Sequence, residues 1–174
     1  MDLLNVKNKD GLLECVYQGD VLDLSRFANE SFDAVLCMGA LYHLMERVDR
    51  EKCVFECLRV LKSSGIFVFS YINRNAVYIN HFCRSLSNVE NQKTGVNGVF
   101  YTMDFGEEDE LIGKFQLDKI TDAGVDGLIY PLYAQLNEAT TEEFNAYMEY
   151  HLATCEQPTI IGHSMHGLWV GRKK

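Results

Sequence analysis

Two short apolar runs on either side of an amphipathic segment constrain the fold of this chain more than any other feature of its sequence. Residues 32–38 and residues 65–71 have the length and composition of strands that are buried on both faces. The segment between them is typical of a helix with one apolar face, because its apolar side chains recur at intervals of three and four residues. These side chains are Cys53, Val54, Cys57, Leu58 and Leu61. A strand, a helix and a second strand in this order predict a right-handed βαβ unit with parallel strands.

The rest of the chain alternates further predicted strands and helices, which indicates an α/β sheet with helices on both faces. Strands are predicted at residues 12–17, 127–134 and 165–172, and helices at residues 1–10, 75–86, 107–123 and 140–155. Residues 19–29 and 87–98 are polar and are predicted to be loops. Thr140 and Glu143 have the spacing of a capping box at the start of the last helix, and Asp49 is the predicted N-cap of the first βαβ helix. No internal repeat or linker divides the sequence, so residues 1–174 are predicted to form a single domain.

Composition and charge exclude several classes of partner. The formal net charge is -9, and the only local basic cluster is Arg172, Lys173 and Lys174, so the clustered cations that nucleic acid binding needs are absent. The longest apolar stretch, residues 66–72, is far too short to span a membrane. The six cysteines form no CxxC pair, and most of them lie in apolar runs, as buried free thiols do. A reducing, cytoplasmic location is therefore expected.

No metal site is predicted from the sequence. His163 and His166 have no carboxylate or thiol close to them in the sequence that could complete a set of ligands. Cys53 and Cys57 lie one turn apart on the apolar face of the predicted helix, which favours packing in the core over metal ligation.

Four sequence motifs, taken in order, resemble those of class I S-adenosylmethionine-dependent methyltransferases, in the branch that acts on small molecules. Residues 19–24 (GDVLDL) and 31–35 (SFDAV) are similar to the segment after the third strand and to the start of the fourth strand. Residues 39–44 (GALYHL) resemble the loop after the fourth strand. Residues 58–65 (LRVLKSSG) resemble the stretch that leads into the fifth strand, with two serines in place of the usual proline and glycine. The resemblance continues through the last helix and strand, so it covers nearly the whole chain.

The resemblance implies S-adenosylmethionine as the cofactor. Asp20 and Val21 would meet the adenine ring, through the Asp20 carboxylate and the Val21 backbone N–H. Met38 and Gly39 would lie beside the methionine part, because ligands of doubly wound sheets bind outside the carboxyl ends of the strands. The residues by themselves leave simpler roles open: Asp20 in an Asx turn, and Met38 and Gly39 as the end of a buried strand.

The same resemblance implies that the methyl acceptor binds near Tyr42, His43 and Arg74. His43 and Tyr42 are the candidate catalytic residues, because a base that takes a proton from the acceptor is the one acid–base group that methyl transfer can use. Arg74 is the candidate substrate-binding residue. The alternative interpretation is that Tyr42 and His43 pack at a helix start and that Arg74 is a helix-terminal charge.

The sequence lacks the glycine-rich loop, Asp-x-Gly-x-Gly-x-Gly, with which the family holds the cofactor. Since the resemblance begins just before the family's third strand, an incomplete doubly wound Rossmann-like sheet without the first two strands is expected. In the family's strand order, 3-2-1-4-5-7-6, those two strands cover the edge of the fourth. This edge is therefore expected to be exposed and to mediate a homo-oligomer. Losing two or three hydrogen bonds to charged groups forfeits about 3–9 kcal/mol, so cofactor binding in the millimolar range or weaker is expected.

Three functional hypotheses follow from the sequence. The first is an S-adenosylmethionine-dependent methyltransferase with a small-molecule acceptor, or a fragment of one. The second is a catalytically inactive, truncated remnant that acts as an oligomeric or interaction module. The third, a dehydrogenase-like nucleotide-binding protein, is disfavoured because no predicted strand is followed by GxGxxG.

Overall fold

A four-stranded sheet forms the centre of the structure, a computed structural model that describes Gly11, residues 13–85 and residues 96–174. The strands are β1 (Phe32–Cys37), β2 (Leu61–Ile72), β3 (Val96–Asn97), β4 (Phe100–Tyr101), β5 (Leu117–Gly124) and β6 (His166–Lys173). The helices are α1 (Arg47–Val60), α2 (Arg74–Arg84), α3 (Glu107–Ile112), α4 (Tyr133–Glu138), α5 (Thr141–Thr154) and α6 (Pro158–Ile161), with a 3-10 turn at Leu41–His43. In the part of the chain that the structure describes, no helix is long and apolar enough to cross a membrane.

The main sheet has the strand order β1-β2-β6-β5. β1 lies parallel to β2, which confirms the predicted βαβ unit, and β6 pairs in antiparallel fashion with β2 on one side and β5 on the other. This order matches the 4-5-7-6 half of the sheet that the sequence predicts. The structure therefore confirms the α/β, Rossmann-like class, and β3 and β4 form a separate two-stranded hairpin.

The core lies between the main sheet and α1. Cys53, Val54, Cys57 and Leu58 are buried, as their spacing predicts, and Leu61 begins β2 directly after the helix. On the sheet, the Phe69 ring stacks on Trp169 of β6 with centroids 5.5 Å apart. The helix begins at Arg47, with Glu46 rather than the predicted Asp49 at the N-cap position.

The segment after α3 folds differently from its prediction. Residues 107–123 were expected to form one helix, but α3 ends at Ile112 and Gly113, and Leu117–Gly124 forms β5. Residues 127–134 were expected to form a strand, but they form turns that lead into α4. The first prediction is wrong because β6 offers a free edge, and pairing along it outweighs the local helical preference of residues 117–124. The second is wrong because β5 takes that edge, so residues 127–134 have no strand partner in the described sheet.

The N-terminal side of the sheet also departs from its prediction. Residues 13–17 form no strand, because no neighbouring strand among the described residues pairs with them. β1 was expected to be buried on both faces, but Ala34 is exposed and Leu36 is 64% exposed, since side chains alternate along a strand and the described residues cover only the face that carries Val35 and Cys37. The predicted helix at residues 1–10 and most of the predicted loop at residues 87–98 lie outside the described residues, and the end of that loop enters β3.

Two further helices, α2 and α5, match their predictions. α5 carries the predicted capping box: the Thr140 hydroxyl accepts from the Glu143 N–H, and the Glu143 carboxylate accepts from the Thr140 N–H at 2.8 Å. α2 spans most of the predicted segment at residues 75–86. Together with β1, β2 and β6, these elements position the ends of the strands at which ligands of such sheets bind.

Candidate functional site

A cavity of about 410 Å³ lies at the carboxyl end of β2. Its walls come from the 3-10 turn after β1, from α2, from β4 and from the start of β6. The lining residues are Tyr42, Ile72, Val77, Asn80, His81, Arg84, Phe100, Met165 and His166. The cavity is thus placed where doubly wound sheets bind their ligands.

The turn after β1 brings Tyr42 and His43 against Phe100. The Tyr42 ring meets Phe100 edge-on with centroids 5.8 Å apart, and the His43 ring lies 5.1 Å from the same phenylalanine. Tyr42 lines the cavity, whereas His43 is exposed. Of the two candidate catalytic residues, the structure therefore places Tyr42 in the cavity wall and His43 beside it.

Arg50 fixes the backbone that follows this turn. Its buried guanidinium donates to the carbonyl oxygens of Leu44 and Met45 at 2.7 and 2.8 Å, and it lies 3.6 Å from the centre of the Tyr101 ring. The turn is thereby tied both to α1 and to the β3–β4 hairpin. The guanidinium also lies 3.8 Å from the Glu107 carboxylate, so two carbonyls, an aromatic face and a carboxylate together hold Arg50 in place.

Gly39 allows the backbone to turn sharply at the end of β1. Its φ angle is +95°, its N–H donates to the Ser70 hydroxyl at 2.9 Å, and a Cβ at this position would lie 3.0 Å from the Tyr42 hydroxyl. Only glycine adopts this conformation without strain. The Tyr42 hydroxyl therefore occupies the space that a side chain at position 39 would take, and Met38 next to Gly39 is 57% exposed.

Asp20 and Val21 line a second cavity, of about 450 Å³, which Phe32 at the start of β1 also borders. Asp20 Oδ1 accepts from the Leu22 N–H at 2.9 Å, which is the Asx turn considered above. Within the described ranges, the second carboxylate oxygen and the Val21 N–H have no hydrogen-bond partner. A carboxylate oxygen and a backbone N–H are therefore both available to a ligand beside residues 20 and 21.

Arg74, the candidate substrate-binding residue, is paired inside the protein. Its guanidinium donates to the Asp104 carboxylate at 2.5 Å and to the Thr102 carbonyl at 2.8 Å, and it lies 3.8 Å from the Glu107 carboxylate. It does not line the cavity. In this structure Arg74 ties the start of α2 to residues 102–107.

A polar cluster that the sequence did not indicate stands behind the cavity. Asp126 Oδ2 accepts from His166 Nδ1 at 2.7 Å, and Asp126 Oδ1 accepts from the Ser164 hydroxyl at 2.5 Å. The fully buried Ser164 oxygen in turn accepts from the N–H groups of Asp126 and Gly127, each at 3.0 Å. His166 was considered only as a metal ligand, and its partner lies forty residues away in the sequence, so no local pattern could have revealed the pair.

The contact between Asp126 and His166 shifts the pKa of both groups. The hydrogen bond that His166 donates to the Asp126 carboxylate raises the pKa of His166 above its usual value. Burial would raise the pKa of Asp126, but the hydrogen bonds from His166 and Ser164 outweigh burial and lower it. Because Asp126 holds Nδ1, the Nε2 atom of neutral His166 is the ring nitrogen left to accept a proton. A histidine oriented in this way can act as a general base.

Asn80 adds an acceptor to the same cavity. Its Oδ1 atom is buried and has no hydrogen-bond partner in the described part of the chain. Leaving such an atom unpaired costs about 1–3 kcal/mol. A bound molecule with an N–H or O–H group would remove this cost.

Comparisons with known proteins agree with the fold and the motifs. The family described as "Methyltransferase domain" matches residues 3–69. A glycine/sarcosine N-methyltransferase from Parasynechococcus marenigrum is 39% identical over 70 residues, which are 40% of this chain and 24% of that protein. The chain thus matches about a quarter of the length of this relative.

Solved structures extend the likeness over almost the whole chain. A SAM-dependent methyltransferase from Methanosarcina mazei has a TM-score of 0.54 at 16% identity, over 89% of this chain and 65% of its own. The [4+2]-cyclase SpnF has a TM-score of 0.56 at 17% identity, over 98% of this chain and 60% of its own. The second comparison shows that this fold also carries another reaction, so the fold by itself does not assign the chemistry. The family match thus covers residues 3–69, and over the rest of the chain the solved structures show a shared fold.

Proposed function

We propose that residues 1–174 form one methyltransferase-like domain that transfers a methyl group from S-adenosylmethionine to a small molecule with an N–H group. The observation that carries this proposal is the cavity at the carboxyl end of β2, with the Asp126–His166 pair and the unpaired Asn80 oxygen in its wall. The cavity volume of about 410 Å³ suits a small acceptor. The glycine and sarcosine substrates in the name of the curated relative are amines of this size.

The cavity residues would act mainly by positioning the acceptor and by taking its proton. Asn80 Oδ1 would accept the N–H of the acceptor and so orient the nitrogen lone pair. His166 would take the proton that the nitrogen loses, with Asp126 stabilising the imidazolium that forms. Tyr42 and His43 remain candidate catalytic residues, because Tyr42 and Phe100 form the aromatic side of the cavity and His43 packs on Phe100 beside it.

The cofactor would be held along the ends of the strands. Asp20 and Val21 would offer a carboxylate oxygen and an N–H to the adenine, and Met38 and Gly39 would border the methionine part. When bound, S-adenosylmethionine supplies a methyl group already activated on a sulfonium.

Methyl transfer from labelled S-adenosylmethionine to glycine or sarcosine, at millimolar cofactor, tests this proposal. We expect slow turnover whose rate rises with pH as His166 loses its proton, because the neutral imidazole is the active base. His166→Ala should lower the rate by about 10²-fold or more, in line with the loss of a general base. A calorimetric titration with S-adenosylhomocysteine measures cofactor affinity separately.

His163→Ala is the matched control, since His163 is exposed and lies outside the cavity. Its rate should equal that of the unchanged chain. Equal rates for both histidine variants would refute the role of the cavity. Cofactor binding without any methyl transfer would leave the family assignment intact and reject the acceptor class.

The alternative function is an inactive module that assembles through β1. One edge of β1 has no partner strand in the described ranges, and the exposed side chains of Ala34 and Leu36 lie beside it. Such an edge offers unpaired N–H and C=O groups along its length, which a second copy of the same strand can satisfy in antiparallel pairing about a two-fold axis. We propose that a second copy of the chain is the occupant.

Light scattering on the purified chain tests this assembly. We expect a dimer, and we expect the Ala34→Lys/Leu36→Lys variant to be a monomer because like charges would face each other across the two-fold axis. Val48→Lys is the control: Val48 is 68% exposed on α1, away from β1, so its variant should remain a dimer. A monodisperse monomer for the unchanged chain would contradict the proposal.

A further inference from the structure

Three cysteines from two neighbouring elements converge behind the end of β1. Cys37 is the last residue of β1, and Cys53 and Cys57 lie one turn apart on the face of α1 that packs on the sheet. Their three sulfur atoms all lie within 4.8 Å of one another, and the sulfurs of Cys37 and Cys53 are 3.7 Å apart. The spacing along α1 places Cys53 and Cys57 side by side, and the packing of β1 on α1 adds Cys37.

The cluster is closed off from water. The relative exposure of Cys37, Cys53 and Cys57 is 5%, 0% and 3%. The surrounding core is apolar, and no described His, Asp or Glu joins the three sulfurs as a further ligand. A species bound here would therefore have three sulfur ligands, no water and no nearby charge to balance its own.

The number of sulfur ligands and the apolar surroundings determine which thiophilic species fits this cluster. Structural zinc takes four ligands, and a dication on three thiolates would leave one net negative charge in an apolar interior, at a high desolvation cost. A trivalent metalloid hydroxide of the arsenite type needs three ligands only. Each of its three hydroxyl groups leaves as water with the proton of one thiol, three metalloid–sulfur bonds form, no redox change occurs, and the product is neutral.

We propose that Cys37, Cys53 and Cys57 form a binding site for such a trivalent, three-coordinate thiophilic species. Sulfurs bonded to one centre at about 2.3 Å lie about 3.8 Å apart in tetrahedral-type geometry, so the sulfurs here need to move by about 1 Å or less. Binding would join β1 to α1 directly below Met38 and Gly39, and it would stabilise the folded chain because the site exists only there.

The experiment uses the full chain with the other cysteines, Cys15, Cys83 and Cys155, replaced by serine. Reduced protein is titrated with arsenite, and binding is followed by native mass spectrometry, by the melting temperature and by arsenic X-ray absorption. We expect one arsenic per chain, a mass change that corresponds to one arsenic gained and three protons lost, a raised melting temperature and three sulfur neighbours. Zinc and cadmium ions, tested in parallel, should bind more weakly.

Single Cys53→Ala and Cys57→Ala variants should each weaken arsenite binding by about 10²-fold or more, since one of three covalent ligands is lost. Cys155→Ala in the natural sequence is the matched control and should bind as the unchanged chain does, because Cys155 lies outside the cluster. Fewer than three sulfur neighbours, or tighter binding of zinc than of arsenite, would overturn the proposal. The absorption measurement on the unsubstituted cluster decides it even where a core variant fails to fold.

Discussion

Replacing Asp126 by alanine should lower the free energy of unfolding by about 3 kcal/mol. Asp126 is 9% exposed and accepts from the Ser164 hydroxyl, the His166 ring and the His166 N–H. Its removal would leave a buried hydroxyl and an imidazole without their acceptor, and breaking such a buried charged pair costs about 3–5 kcal/mol. Urea unfolding of the variant and of the unchanged chain measures the difference.

The cost of Asp126→Ala should depend on pH with two limits. Because the pKa of Asp126 is lowered in the folded chain, its contribution to the free energy of unfolding is complete above the unfolded pKa of about 4. That contribution is lost as pH falls through the pKa of the folded chain. Because the pKa of His166 is raised in the folded chain, its contribution is complete below the unfolded pKa of about 6.5. That contribution is lost as pH rises through the pKa of the folded chain. The difference between variant and unchanged chain should thus be largest between about pH 4 and pH 6.5.

Asp118→Ala provides the comparison, because the Asp118 carboxylate is 68% exposed and pairs with Lys174 at the surface. It should change the free energy of unfolding by less than about 0.5 kcal/mol. If Asp126→Ala were as mild as Asp118→Ala, the cluster behind the cavity would not hold the loop around Asp126 to the start of β6.

Replacing Glu108 by glutamine should stabilise the chain by about 3 kcal/mol at pH 8 and leave it almost unchanged at pH 4. Glu108 is 3% exposed, and burial, aided by the charges of Asp122 and Asp109, raises its pKa to about 7. Its Oε2 atom has no partner in the described residues. Between about pH 4.5 and pH 7 this carboxyl is ionised in the unfolded chain but still protonated in the folded chain. The free energy of unfolding therefore falls as pH rises through this range.

A pH series of urea unfolding curves measures this effect. The unchanged chain should lose stability between about pH 4.5 and pH 7, and the glutamine variant should lack that loss. Glu110→Gln is the matched control, since Glu110 is exposed on the same helix and should leave the pH dependence as it is. A loss that persists in Glu108→Gln would mean that other groups cause it.

The elements that the sequence predicted correctly carry their own pattern. α1 and the apolar part of β2, residues 65–72, have the pattern of buried elements, and Thr140 with Glu143 marks the start of α5 by local hydrogen bonding alone. The motif order along the chain then gave the strand order of the sheet. These features depend on residues close together in the sequence, which is why they can be predicted from it.

The elements that the sequence predicted wrongly depend on distant partners. β5 contains Asp118, Lys119 and Asp122, which are unfavourable in an isolated strand, and it forms because β6 pairs with it along seven positions. The candidate site shows the same limit. Tyr42 was found because it lies in a motif, whereas Asn80 and His166 meet in the cavity only through the fold.

The position of β6 between β2 and β5 has a consequence for synthesis. Residues 166–173 are made after every other strand of the sheet, and until they emerge from the ribosome β2 and β5 each have an open edge and no hydrogen-bonded contact with each other. The growing chain can form the β1–α1–β2 unit early, but the sheet cannot close by stages from its N-terminal end. A nascent polypeptide stalled before residue 166 therefore exposes two unpaired strands at once, which makes it a substrate for chaperones and prone to aggregation.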